Sequence, residues 1–321
     1  MVAATQAGAT PPAPPSHADQ IAEIIAKAAP TGALTPVAAK ADRTFGTAIS
    51  GHEVSLPSTG DGKIVAGIGK SALTLTLPGK ASAKGQVAAD GTVVYPASSG
   101  GVTTAIQAQA DGVRVQTISN GAGDPSSFKY AVGGATPILR ADGGVDLVSR
   151  AQGPTQLTKI VGGIATPWAV DANGASVGTH YTVEGDSLIQ VLDVNASTVY
   201  PVVADPKFSL GVGLYVSLNT IEVRTFATAA GIVATMGMGY ACTVYGAKII
   251  ALIPNMAGSI GYICGSFTGV QLAVLLMSMP SQSTAYYTHT CYQARIPAQS
   301  PAWKIVGTSQ CVSLADSFKN Q

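Results

Sequence analysis

Thr225–Ala247 reads TFATAAGIVATMGMGYACTVYGA and contains no charged residue; after Lys248, the next charged residue is Arg295. Within this nearly charge-free region, small residues recur at every fourth position: Ala257, Gly261, Gly265 and Gly269. On a helix this spacing places the small residues on one face, where a neighbouring backbone can approach closely. The region therefore predicts either the buried core of a compact domain or a segment that contacts a membrane. The four small residues are its candidate helix-contact positions.

Local signals divide this region into helices. Asn219 followed by Glu222 is typical of a helix start, because their side chains can accept hydrogen bonds from two free backbone N–H groups. We predict a first helix from there to about residue 236, a second to about 253 after glycines at 237 and 239, and a third from 255 to about 279. Pro254 ends the second helix. The arrangement predicts a helical hairpin.

All four cysteines lie in the last quarter of the chain: Cys242, Cys264, Cys291 and Cys311. Their even number predicts two disulfides and an oxidising compartment, and their spacing differs from that of closely paired zinc ligands. Three connectivities are open. We favour Cys242–Cys264 between helices and Cys291–Cys311 across a hairpin of two alternating segments, 286–296 and 303–312.

A different, period-two pattern runs from about Thr44 to Val203. Leu73–Leu77 and Val113–Thr117 alternate apolar and polar residues, as half-buried strands do. Turn dipeptides separate such runs: Asp61-Gly62, Asp90-Gly91, Asp111-Gly112, Asp142-Gly143 and Asn173-Gly174. Because Gly, Asn and Asp tolerate the positive φ of tight turns, the pattern predicts antiparallel hairpins and a β-sandwich.

These patterns predict an α+β protein with three parts. Residues 1–40 form a Pro- and Ala-rich leader and a short helix, which Ser16 and Asp19 start with a capping box. Residues 41–206 form an antiparallel β-sandwich-like module. Residues 207–321 form an apolar, Gly-rich, four-cysteine domain, in which a disulfide-stabilised helical hairpin is followed by a β-hairpin.

Composition narrows the functional classes. Charged residues make up 11% of the chain, against roughly 25% in an average globular protein, which favours a β-rich extracellular protein over a cytosolic enzyme. Residues 1–205 carry a net charge of −3 and residues 206–321 one of +4. No basic stripe indicates nucleic-acid binding. Met1 precedes small residues and a Pro/Ala-rich run, which is typical of a mature secreted N-terminus with an added start Met.

Candidate catalytic and ligand motifs are weak. Gly174–Gly178 has the nucleophile-elbow spacing around Ser176, but an alternating strand follows it where the elbow needs a helix. Gly67–Ser71 resembles part of a phosphate loop and lacks its first glycine. The four histidines are scattered without metal-ligand spacing. The sequence therefore predicts no catalytic residue, no metal site and no cofactor.

Short segments along the β-rich part carry a resemblance to known proteins. They are Val-Val-Tyr-Pro at 93–96 with Ala-Asp-Gly-Val at 110–113, Pro-Trp-Ala-Val-Asp-Ala-Asn-Gly at 167–174, and Tyr-Pro-Val-Val-Ala-Asp-Pro at 200–206. In this order they resemble the β-rich leader module of secreted actinobacterial proteins and of Rhs-like polymorphic toxins. The resemblance implies that a constant region ends at the Asp-Pro and that a variable C-terminal domain follows. Because the chain carries no long repeat array, it looks more like the small secreted proteins that share the module.

We therefore expect a secreted or cell-surface, non-enzymatic effector whose C-terminal apolar helices contact a membrane or a partner. By resemblance, it is a candidate bacteriocin-like antibacterial toxin. The expected partners are a membrane surface, a second copy bound through the C-terminal domain, or an immunity or surface protein. The alternative is a structural or adhesive cell-envelope protein without toxin activity. A serine hydrolase built on Ser176 is the third hypothesis.

Overall fold

The computed structural model describes residues 14–29, 33–49, 51–67, 72–78, 83–97, 101–149, 157–220, 222–224, 227, 242–243, 246–252, 257–266, 273–274, 278, 290–296 and 303–306. The chain divides into two compact units. The first comprises Met1–Gly133, Leu139–Val145 and Ile164–Leu210, and the second comprises Gly134–Ile138, Asp146–Gly163 and Gly211–Gln321. The second unit therefore takes three segments that are far apart in the sequence.

The first unit begins with helix α1 (His17–Ala28), and the predicted capping box is confirmed. The Asp19 N–H donates to Ser16 Oγ at 3.2 Å, and the Ser16 N–H donates to Asp19 Oδ2 at 3.0 Å. The buried face of the helix packs against the second of the two sheet layers described below, through residues such as Val94 and Ile118. Its buried residues are Ala18, Ile21, Ala22 and Ile25.

An eight-stranded antiparallel sheet forms one layer of the first unit. In spatial order its strands are β1 (Ala38–Ala39), β2 (Phe45–Ile49), β3 (His52–Leu56), β4 (Lys63–Ala66), β5 (Leu73–Thr76), β10 (Ser127–Gly133), β16 (Ser187–Leu192) and β15 (Thr179–Glu184). Apolar residues alternate with more exposed ones, as β5 shows with Leu73 and Leu75 buried. The alternation predicted from the sequence is confirmed here, because only one face of this sheet is covered.

A second antiparallel layer lies in the same unit. It contains β6 (Gln86–Val87), β7 (Val93–Tyr95), β8 (Thr103–Gln109) and β9 (Gly112–Ser119), and β9 also pairs with β17 (Val202–Ala204), which pairs with β14 (Ala169–Val170). Nearly every residue of β8 and β9 is buried. One face packs under α1 and the other faces the sandwich interior, so these strands lose the clean alternation of the first layer. The prediction of a sandwich-like antiparallel module is confirmed.

The predicted turn glycines adopt the expected conformation at three of the hairpins. Gly91, Gly143 and Gly174 have φ values of 93°, 82° and 75°, which an L-residue with a Cβ rarely adopts. Gly112 has a different role, because it lies inside β9 after the turn residues Ala110 and Asp111. A Cβ at Gly112 would collide with the Phe208 carbonyl oxygen on the neighbouring strand.

The second unit contains β11 (Ala135–Leu139), β12 (Val145–Ser149) and β13 (Leu157–Ile164), which precede β18 (Lys207–Asn219) in spatial order. Beyond β18 lie β19 (Cys291–Ile296) and β20 (Trp303–Val306), which form an antiparallel hairpin. The hairpin places Cys291 opposite Val306. Cys311 lies outside the described residues.

Only parts of the three predicted helices of the second unit lie among the described residues. The start at Asn219 is confirmed, since the Glu222 N–H donates to Asn219 Oδ1 and the Asn219 N–H donates to Glu222 Oε2, both at 2.9 Å. The described helices are α2 (Gly246–Leu252) and α3 (Ala257–Ser266). They do not confirm a helical hairpin. Among the described residues, no helix combines the length and apolar character needed to cross a membrane.

Candidate functional site

Helix α3 presents its small residues outward. Ala257, Gly261 and Gly265 are exposed, and a Cβ added at either glycine would meet no atom within 4 Å. The opposite face is buried through Ile260 and Ile263, at 2% and 0% exposure. The glycine zipper expected from the four-residue spacing is thus not observed, because nothing described packs on this face. Gly269, the fourth expected contact residue, lies outside the described residues.

A disulfide holds α3 to the chain that precedes α2. Cys242 and Cys264 are bonded, with their Cα atoms 5.8 Å apart. Since Cys264 lies on α3 one residue before the exposed Gly265, the bond limits how far the small-residue face can move. Cys291 is also disulfide-bonded, and its predicted partner, Cys311, lies outside the described residues.

A buried ion pair stabilises the sheet of the second unit. The Asp146 carboxylate on β12 is fully buried and accepts from the Tyr215 hydroxyl at 2.6 Å. Arg295 donates to both of its oxygens, from Nε at 2.8 Å and from Nη2 at 3.1 Å. Lys304 lies 5.5 Å above the Tyr215 ring. Side chains from four strands therefore converge, and the hydrogen bonds satisfy a carboxylate that would be costly to bury alone.

The first unit contains a second buried carboxylate. Asp205 is 1% exposed, and its Oδ1 accepts from the Trp168 N–H at 3.1 Å. Burial raises the pKa of Asp205 to about 7, while the Trp168 backbone N–H and then the positive charge of Arg114 act to lower it. The Arg114 guanidinium lies 5.9 Å from the centre of the Trp168 ring. An acid with this pKa is half protonated at neutral pH.

Two of the sequence segments that carried the resemblance meet around this carboxylate. Trp168 lies just before β14, which pairs with β17, so the 167–174 and 200–206 segments are neighbours. Asp171 continues the connection: its carboxylate accepts from the N–H groups of Asn173, Ala175 and Val199. The short motifs thus serve backbone geometry in one part of the first unit.

Ser176 lies in a structure unlike a nucleophile elbow. It forms an isolated β-bridge with Val170 and is exposed, and the chain continues into strand β15 where the elbow requires a helix. His180 lies 4.0 Å from Asp193 through Nδ1 and Oδ1, which is beyond hydrogen-bonding distance. Within the described part of the chain, Ser176 has no hydrogen bond to His180.

No group of three or more His, Cys, Asp or Glu side chains among the described residues could hold a metal ion. A mainly apolar cavity of the first unit measures about 210 Å³ and lies between the end of α1 and the 171–174 loop. Small-molecule sites are typically larger, at about 300–1,000 Å³. The cavity therefore offers little room for a cofactor.

Sequence reasoning missed the two most deeply buried carboxylates, Asp146 and Asp205. The only local signal for Asp146 is its position inside the apolar run Val145–Val148, where an exposed aspartate is not expected. For Arg295, the signal is its place at the end of the charge-free region. Neither signal indicates which residue forms the ion pair with Asp146 or with Arg295. Comparisons with known protein families, with curated proteins and with solved structures give no match.

Proposed function

We propose that this protein is a secreted or cell-surface, non-enzymatic effector. In this proposal the first unit is a scaffold, and the second unit contacts a membrane surface or a partner through the small-residue face of α3. The proposal depends on one observation above others: Ala257, Gly261 and Gly265 are exposed, with open space beyond the two glycines. Small residues repeated at this spacing allow the close approach of another helix.

Two further properties support the proposal. Residues 206–321 carry six Lys and Arg against two Asp and Glu, and a positive balance favours anionic surfaces. The Cys242–Cys264 disulfide supports an oxidising, extracellular setting. It also holds α3 by a cross-link close to its exposed face.

Dye release from anionic vesicles tests the membrane form of this proposal. We expect the full chain to release dye, and Gly261→Leu or Gly265→Leu to reduce release about tenfold, which corresponds to roughly 1.4 kcal/mol of lost contact. Leucine makes the face more apolar, so a loss would show that close approach matters more than hydrophobicity. The full chain is required, because residues 207–321 alone would lack the β11–β13 segments of the second unit.

A matched control is Gly123→Leu, at a glycine in the first unit that also has open space beyond it. This variant should release dye like the original protein. If all three leucine variants release dye equally, the exposed face of α3 does not take part in membrane contact. If neither the oxidised nor the reduced protein releases dye, membrane contact is wrong and a structural role becomes the better explanation.

The alternative function is a structural or adhesive cell-envelope protein. The observation in its favour is that the buried or half-buried carboxylates serve the fold: Asp146 holds strands of the second unit, Asp205 holds Trp168, and Asp171 holds a loop. A protein of this class would bind no vesicles and would tolerate leucine at Gly261 without a functional change.

A further inference from the structure

Among the described residues, the first unit has one long sheet edge without a paired neighbour. The eight-stranded sheet ends at β1 on one side and at β15 on the other, and the second layer ends at β6. Strands β1 and β6 have two residues each, whereas β15 has six. Natural proteins shorten or otherwise protect edge strands, because unpaired backbone groups invite pairing with another chain. Strand β15 is not shortened in this way.

The outward-facing backbone groups of β15 can be identified from its pairing with β16. The Asp193 N–H donates to the Gly178 carbonyl at 2.8 Å, and residues opposite each other in an antiparallel pair alternate in hydrogen bonding. Even-numbered residues of β15 therefore bond to β16. The N–H and C=O groups of Thr179, Tyr181 and Val183 point away from the sheet, and no described residue bonds to them.

The exposed side chains of this edge are self-complementary, because a His180 ring N–H can donate to a Glu184 carboxylate. His180, Thr182 and Glu184 are all exposed and share one face. A second β15 strand placed antiparallel, with Thr182 opposite Thr182, brings each His180 opposite the Glu184 of the other copy. Moving the centre to Tyr181 would place His180 opposite Thr182 and lose both imidazole–carboxylate pairs. The complementarity of imidazole and carboxylate thus selects a single register.

Backbone geometry agrees with the same register. It places Tyr181 opposite Val183 of the second copy, and these are the residues whose N–H and C=O groups point outward. His180 and Glu184 then occupy a non-hydrogen-bonded position, where opposite side chains are closest. Lys129, 3.8 Å from Glu184, adds a positive charge beside the same carboxylate.

We propose that two copies of this chain associate through antiparallel pairing of their β15 strands, with Thr182 on the twofold axis. The occupant of the edge is a second copy, and the pairing joins two eight-stranded sheets into one continuous sheet. The proposal is independent of the α3 face, since β15 belongs to the first unit.

Sedimentation equilibrium of the full chain tests the pairing. We expect a concentration-dependent mass between one and two times 32.2 kDa. The His180→Glu substitution places a glutamate opposite Glu184 in each of the two symmetry-related pairs. It should therefore raise the dimer dissociation constant at least about tenfold. The charge swap His180→Glu with Glu184→His should restore association, because it re-forms both pairs only in this register.

Two further variants separate edge pairing from other causes. Val183→Pro removes an outward N–H without removing a bond to β16, so the edge should remain folded while dimers are lost. His52→Glu makes the same charge change on an exposed residue of β3, inside the sheet, and should leave association unchanged. The proposal would be overturned if the protein were monomeric at every concentration or if the dimer dissociation constant did not change with His180→Glu. Loss of the dimer only with Gly261→Leu would overturn it as well.

Discussion

Asp146→Ala is expected to destabilise the second unit by about 3–5 kcal/mol. The substitution removes an acceptor that is fully buried and receives three hydrogen bonds from Tyr215 and Arg295. The Tyr215 hydroxyl and the largely buried Arg295 guanidinium then lose this acceptor. Leaving such groups without the acceptor costs more free energy than the original hydrogen bonds contributed on balance. Urea unfolding measures the loss. Trp303 lies in the second unit, so its fluorescence in a Trp168→Phe background reports that unit.

Two comparisons make this result specific. Lys40 and Glu53 also form an ion pair, at 2.7 Å, but both side chains are exposed, so Lys40→Ala should cost less than about 1 kcal/mol. The double variant Asp146→Leu with Arg295→Met replaces the charges by apolar groups and should recover most of the loss. A cost under about 1 kcal/mol for Asp146→Ala would mean that water, and not Arg295, balances this carboxylate.

Asp205→Asn is expected to stabilise the first unit at pH 8 by up to about 4 kcal/mol. Burial raises the pKa of Asp205 to about 7 in the folded protein, whereas an unfolded aspartate has a pKa near 3.9. Between these values the folded state holds a proton that the unfolded state has released. This contribution to stability is therefore complete below about pH 4 and is lost as the pH rises to about 7. Asparagine carries no charge and can still accept from the Trp168 N–H.

Unfolding at several pH values, followed by Trp168 fluorescence in a Trp303→Phe background, checks the sign. The difference between Asp205→Asn and the original protein should grow from pH 4 to pH 7 and then stay constant. Asp111→Asn is the control of opposite sign, because the Lys207 side chain 2.7 Å away holds the pKa of Asp111 below its usual value. Its contribution to stability should disappear as the pH falls. A pH-independent Asp205→Asn difference would contradict the buried-acid interpretation.

Local structure that depends on residues close together in the sequence could be predicted. The capping boxes at Ser16 and at Asn219 involve partners three positions away, and both form as expected. The positive-φ turns at Gly91, Gly143 and Gly174 follow from glycine in a two-residue turn signal. The sandwich-like layers follow from the period-two pattern between those turns.

The charge-free region shows where local patterns stop being sufficient. Its spacing correctly placed Ala257, Gly261 and Gly265 on one face of a helix, but the spacing cannot say whether that face is covered. The structure leaves it exposed and buries Ile260 and Ile263 instead. The described helices α2 and α3 have seven and ten residues. Apolar composition favours burial without setting where a helix ends.

Local sequence patterns were sufficient to predict antiparallel hairpins, the helix caps and the turn positions, because each depends mainly on residues close in the sequence. Which distant groups meet follows from the tertiary structure. Asp146 bonds Arg295 across 149 positions, and the segments 134–138 and 146–163 join the C-terminal unit. The physical reason is that strand pairing joins backbones irrespective of sequence distance. A buried charge is therefore satisfied by whichever strand the sheet places beside it.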